Sequence, residues 1–393
     1  MTPTSPPPAP LPSHLLVPAA ATGPSPLHHG RSTSTSRYAA VATTLSLALL
    51  SAVGTAEAAP STPAAPPALS TSSSPAPAPA PDAPSARTNL DGQPVTAFVD
   101  AESALEQFTL NNAWPLGQGV APGTSPAITE IMGVAGASPG YRIAFQANTG
   151  ELIIVGNGGN LRTGQGMAPG TSPSIAADDN GGYAVAFQAN TGNLFTFTGQ
   201  VTTGGSAADL QQGMRKGTSP SISLVPGVGY QTAFQANTGE LVLFGAAARV
   251  NTRQGMADGT SPSLALTSPS EYLATFQANT GVLYQYTSRR GAANLSQGMA
   301  AGTSPSTAPL GGGNYQHAFQ ANTGELISIG NVLAINTQQG MAARTSPSIV
   351  PLDNGSFEIS FQANPGRLFT YSPLTGPRDT GYGMLAATSP STD

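Results

Sequence analysis

The chain has 393 residues, no cysteine, and 14 basic against 19 acidic side chains, for a formal net charge of -5. Charged residues make up 8% of it, about a third of the usual share for a soluble globular protein, so solvation must rest on Ser, Thr, Asn, Gln and Gly. The composition excludes a disulfide framework and thiolate metal sites. With 11 basic against 17 acidic residues from Asn89 onward, it also offers no positive surface to collect nucleic-acid phosphates.

The first predicted element is the apolar, uncharged run from Tyr38 to Val53, which follows Arg37 and leads to small residues at Ala56, Ala58 and Ala59. A short apolar core before small residues is the pattern of a secretory signal peptide, so residues 1–59 read as a signal region with a long leading segment, cut near Ala58 or Ala59. A translation start downstream of Met1 is one explanation for that length. The run is shorter than the roughly 20 residues a membrane span needs, so a secreted product without a stable span is expected. Residues 60–83 are almost entirely Pro, Ala and Ser and predict a semi-extended, disordered linker.

From residue 84 onward one unit recurs. Phe-Gln-Ala-Asn-Thr-Gly begins at Phe145, Phe187, Phe234, Phe276 and Phe319. A sixth copy at Phe361 carries Pro365 in place of Thr, and a worn seventh is built on Phe98. The Phe-to-Phe spacings are 47, 42, 47, 42, 43 and 42 residues, the signature of stacked supersecondary units. Each unit predicts four strands, as in Ser174 to Ala177, Tyr183 to Ala189, Leu194 to Phe197 and a weaker segment ending in Gln-Gly-Met, with Asn190-Thr191-Gly192 as a hairpin turn. Seven four-stranded units of about 43 residues predict an all-β, seven-bladed β-propeller over residues 84–393. A β-trefoil would need a multiple of three units, and a β-solenoid usually has shorter coils. Closure stays open, because either 84–92 or Thr388 to Ser391 can supply the strand that completes the blade built on Phe98.

In a four-stranded meander the turn between strands two and three shares a face with the crossover to the next blade. Both are the near-identical segments here, so one face of the ring is repeated and the other varies. The recurring Phe, Leu and Met are packing residues. The Gln and Asn that follow Phe have two readings: side chains bonded to neighbouring backbone, or the walls of polar pockets that hydrogen-bond a sugar. On the second reading Gln188, Asn190 and Thr191 meet Thr218 and Ser219 of the following crossover. Equivalent sets are Gln146, Asn148, Thr171 and Ser172, then Gln235, Asn237, Thr260 and Ser261, with Gln277, Asn279, Gln320 and Asn322 in later units.

Signals for catalysis are sparse. His317 is the only His in the repeats and replaces Ile143, Val185, Thr232, Ala274 or Ile359 of other units, as a substituted strand residue. Glu151, Glu240 and Glu325 share a position that holds Ala104, Asn193, Val282 or Arg367 elsewhere. No spacing meets metal-ligand or paired-carboxylate requirements, so no metal, cofactor or catalytic residue is expected. Aromatic pairs such as Tyr284 with Tyr286 or Phe369 with Tyr371 read as blade core, and Trp114 is the lone Trp.

Laid out as (Thr/Ser)-Ser-Pro, an apolar strand, then Ala-Phe-x-x-x-x-Gly-x-Leu, the unit resembles the repeat of secreted bacterial seven-bladed propeller lectins of the Photorhabdus lectin type. It is also similar to repeat arrays of secreted actinobacterial proteins. The resemblance covers residues 84–393, although the recurring Trp of those lectins is missing. It implies sugars, often fucosylated, held between neighbouring blades in up to seven shallow sites. The expectation is therefore a secreted, non-enzymatic, multivalent glycan-binding protein with glycans or a cell-surface polysaccharide as partner. The alternatives are a propeller glycoside hydrolase or lyase with acidic residues from the variable loops, and a structural or protein-binding surface module.

Overall fold

The computed structural model describes residues 93–393, apart from 110, 132–139, 157, 179, 202, 269 and 270. The apolar run, its cleavage positions, the linker and residues 84–92 lie outside the described residues. Seven four-stranded antiparallel sheets follow one another, numbered here as blades 1 to 7: residues 95–119 with 391–392, then 127–166, 174–213, 221–255, 263–298, 306–340 and 348–383. Chain order is spatial order within blades 2 to 7, whereas in blade 1 the last strand of the chain takes the inner place. The first strands touch one another around a closed circle and so form the inner wall of a ring, which makes the fold the predicted seven-bladed propeller.

The C-terminal segment closes the ring. Ser391–Thr392 pairs with Val95–Val99, and the Val95 and Asp393 backbones exchange two hydrogen bonds of 2.9 and 3.0 Å. Blade 1 is thereby built from both ends of the propeller sequence, so that strand pairing as well as contact between blades holds the ring shut.

Each sheet buries both faces, as period-two alternation requires. In Gly182–Gln188 of blade 3, Tyr183, Val185 and Phe187 pack with Ala144, Leu152, Ile154 and Met167 of blade 2. Ala184 and Ala186 pack with Ile222 and Phe234 of blade 4. Every blade thus presents its repeat Phe backwards and small residues forwards, and full burial of such a Phe contributes about 2–3 kcal/mol. Gly192 takes φ +86° in the turn after this strand, the conformation that selects glycine there.

The repeated Thr-Ser-Pro-Ser segment stitches the inner wall. The backbone N–H of each first Ser donates to the hydroxyl oxygen of its counterpart one blade on, from Ser125 through Ser172, Ser219, Ser261, Ser304, Ser346 and Ser389 and back to Ser125, at 2.8–2.9 Å. A second ring lies beside it. Ser174, Ser221, Ser263, Ser306, Ser348 and Ser391 each accept an N–H from the next blade at 3.0–3.2 Å. Ala127 takes the Ser position in blade 2, so the Ile175 N–H has no hydroxyl there. An inner strand has a free edge with donors that need partners, and these hydroxyls supply them where neighbouring strands diverge too far to pair.

The outer strands explain the varied Glu position. Each carries a bulge with a left-handed residue, such as Gln211, Arg253, Ser296 or Gln338 at φ 55–58°, whose N–H is accepted by the carboxylate or amide oxygen two residues before it. The Glu position faces this bulge. Glu151 meets Arg162 at 2.6 Å, Glu240 meets Asn251 at 2.7 Å, Glu325 meets Asn336 at 2.9 Å, and in blade 7 the charges exchange sides as Arg367 and Asp379. The Arg162 hydrogen bond holds the Glu151 carboxyl below its ordinary range.

Candidate functional site

On the repeated face the two near-identical segments do meet, but most of their polar groups serve the backbone. Gln146, Gln188, Gln235, Gln277 and Gln320 are at most 2% exposed. Their amide nitrogens donate at 3.1–3.3 Å to the carbonyls of Met167, Met214, Met256, Met299 and Met341 in the crossover that leaves the same blade. Thr171, Thr218 and Thr260 are fully buried and donate at 2.8 Å to the carbonyl three residues back. Ser172, Ser219 and Ser261 belong to the inner-wall ring.

The Asn residues divide from this set. Asn148, Asn190, Asn237, Asn279 and Asn322 are exposed, and their N–H groups bond Gly119, Gly166, Gly213, Gly255 and Gly298 of the preceding blade at 3.1–3.2 Å. Gln188 therefore faces the following seam and Asn190 the preceding one. Thr191 is exposed beside Asn190. The amide oxygens of the five buried Gln make no hydrogen bond.

Three open clefts among the described residues lie on the other face, between blades, where strands one and two and strands three and four are joined. One of about 360 Å³ between blades 5 and 6 is lined by Glu271, Gln285, Arg290, Tyr315 and Asn331 with Thr267 and Thr287. A neighbour of about 470 Å³ between blades 4 and 5 is lined by Val225, Val228, Ala246, Leu266, Tyr272 and, again, Glu271. A third of about 300 Å³ between blades 7 and 1 includes Asp353, Glu358, Ser372 and Leu374. Among the described residues the exposed large apolar side chains are Val228, Val332 and Leu374, at 55, 52 and 69%, and they sit on this face within or beside these clefts.

The cleft between blades 5 and 6 has an ordered floor. His317 is fully buried, its Nδ1 is 2.9 Å from the Thr307 hydroxyl, and its Nε2 is 3.3 Å from Gln285 Oε1. Thr307 in turn contacts the Thr275 hydroxyl. Burial pushes the His317 pKa down to about 3, so the ring is neutral at neutral pH and carries one N–H. The Tyr315 ring packs at 5.0 Å from the imidazole. Asn331 is committed, accepting the Tyr315 N–H at 2.8 Å and donating to Gly313 at 3.2 Å. Among the described residues, neither Glu271 nor Arg290 forms an ion pair.

In the cleft between blades 7 and 1 burial raises the Glu358 pKa to about 7, with Arg378 acting the other way. No group of three His, Cys, Asp or Glu among the described residues could hold a metal ion, and no described helix is long and apolar enough to cross a membrane.

Sequence reasoning singled out the repeated face and missed Glu271, Gln285, Arg290 and Tyr315. The available signal was His317, the one His of the repeats, whose ring contacts Gln285 of that cleft.

No protein-family description matches the chain, and no curated protein does. Among solved structures it is similar to AofleA from Arthrobotrys oligospora, at 13% identity over 68% of this chain and 88% of that one, with a TM-score of 0.48. It is also similar to a fucose-specific lectin from Aleuria aurantia (12% identity, 67% and 96% covered, TM-score 0.47). A third is the SapL1 lectin in complex with alpha methyl fucoside (10% identity, 66% and 96% covered, TM-score 0.44). An Aleuria aurantia lectin structure is described as a six-bladed propeller, one blade fewer than here. These are likenesses at low identity to propeller structures, several of them fucose-binding lectins.

Proposed function

We propose that this chain is a carbohydrate-binding propeller whose sites are the clefts between blades on the variable face, and that it binds without turnover. The observation that carries this reading is the cleft between blades 5 and 6. It offers a carboxylate, a guanidinium, an amide and a phenol around one concave space, with an aromatic ring at the wall and a fixed polar floor. Small neutral polyols are recognised by such sets of donors and acceptors, with apolar surface for their C–H faces. Several clefts of unequal lining on one face would make binding multivalent, so weak single sites could still hold a polysaccharide or cell surface. The exposed amides of Asn148, Asn190, Asn237, Asn279 and Asn322, with Thr191, form a second row of candidate contacts on the repeated face. Export fits this role, with the apolar run at 38–53 as the signal.

A glycan array probed with the protein tests the reading. Binding that Gln285→Ala and Arg290→Ala weaken while Asn190→Ala leaves it intact supports the cleft. Loss in Asn190→Ala alone moves the site to the repeated face, and no bound glycan at millimolar concentration removes the reading.

One observation favours a second reading. Glu358, whose carboxyl burial raises to about 7, shares a cleft with Asp353, and two carboxyl groups around one space are what a glycoside hydrolase needs. Release of reducing ends from array-positive glycans, lost in Glu358→Gln, would establish it.

A further inference from the structure

The clefts on either side of blade 5 share a wall. Glu271, first residue of the strand Glu271–Gln277, lines both the cleft toward blade 4 and the cleft toward blade 6. Alternation along the same stretch sorts its neighbours: Leu266 and Tyr272 line the blade 4 side, Thr267 and Leu273 the blade 6 side. The ridge between them is held by two hydrogen bonds, Tyr272 N–H to the Ser288 hydroxyl oxygen at 3.3 Å and Ser288 N–H to the Tyr272 carbonyl at 3.1 Å.

The two halves differ in chemistry. The blade 4 side is apolar, with Val225, Val228, Leu266 and Tyr272, and burial raises the Tyr272 pKa so that its phenol stays protonated. The blade 6 side is polar, with Gln285, Arg290 and Tyr315.

We infer that these two clefts are one groove across blade 5 that takes a linear, neutral oligosaccharide spanning both, rather than two independent monosaccharide sites. This rests on the carbohydrate reading above. A pyranose chain presents apolar faces and hydroxyl edges in succession, and the groove offers apolar and polar walls in succession with a carboxylate at the joint. Glu271 accepts hydroxyl hydrogens from the units on either side of the ridge. One carboxylate and one guanidinium leave the groove without net charge, so it has no attraction for a polyuronate or a sulfated chain, and binding depends little on salt.

The test uses the array-positive polysaccharide, hydrolysed and fractionated into chains of one to six units, in calorimetric titrations. Affinity should rise about tenfold or more from the monosaccharide to the length that reaches both clefts, with one long chain per protein. Val228→Asp on one side and Arg290→Ala on the other should each return long-chain affinity to about the monosaccharide value. Both side chains are exposed, so the thermal midpoint should hold, which separates lost binding from lost fold. Affinity flat with chain length, two chains bound per protein, or Val228→Asp without effect on the long chain would overturn the inference while leaving the carbohydrate reading in place. An array with no bound glycan overturns both.

Discussion

Replacing His317 with Val, the residue that blade 3 carries at the same position, should remove a defined part of the acid sensitivity of this fold. In the folded ring the imidazole is fully buried and stays neutral down to about pH 3, whereas in the unfolded chain it titrates near 6.5. The folded pKa is the lower one, so this residue's contribution is present above about pH 6.5 and is lost as pH falls toward 3, because only the unfolded chain gains the proton. Integrated from pH 7 to pH 5, the loss is about 2 kcal/mol. Glu106 and Glu358 run the other way. Burial raises both carboxyls to about 7, with Asp100 and Glu102 adding to the rise for Glu106, so protonation between pH 7 and 5 favours the folded state. The total pH dependence therefore mixes opposing terms, and only the difference between the two proteins isolates the histidine. Urea unfolding followed by Trp114 fluorescence at pH 7, 6 and 5 supplies that difference. Loss of the hydrogen bonds to Thr307 and Gln285 gives the variant a constant offset. The gap between wild type and variant should shift by about 2 kcal/mol in the variant's favour at pH 5. A gap that stays constant across this range would refute the account of a neutral, buried imidazole.

Ser219→Ala removes the acceptor of the Ser172 N–H and opens the seven-membered ring, at a cost of about 1 kcal/mol in urea unfolding. Ala127→Ser does the opposite: a hydroxyl there can accept the Ile175 N–H and complete the second ring, for a gain of about 0.5–1 kcal/mol in the same assay. Gly330→Ala should prevent a stable ring, since the new Cβ would stand 2.2 Å from the Tyr315 carbonyl oxygen of the adjacent strand, and circular dichroism melting measures the loss. Truncating the last three residues removes Ser391–Thr392 from blade 1 and should lower the melting midpoint by several degrees, whereas a ring held by packing alone would be unmoved.

The repeat made the blades legible because each is a local object. The alternation in Tyr183 to Ala189, the turn at Asn190-Thr191-Gly192 and the period near 42 residues are properties of contiguous sequence, and strand and turn preferences act at that range. Burial of the recurring Phe on both sides follows from them, since a sheet with two apolar faces can satisfy both only between neighbours. The buried amides of Gln188 and its equivalents were open to two readings, and geometry placed them against crossover carbonyls. Distance along the chain is what hid the rest. Whether 84–92 or 388–391 closes blade 1 depends on which edge meets Val95–Val99 after the ring has formed. The serine rings join residues 42 to 48 positions apart, and 263 or 264 where the rings close, so Ser172, Ser219 and Ser261 read as candidate pocket residues rather than as acceptors between blades. The clefts are the furthest case: Glu271, Gln285 and Tyr315 come from three strands, and Arg290 from a strand connection, of two adjacent blades. Nothing local draws them together, and only closure of the ring brings those four side chains around one space.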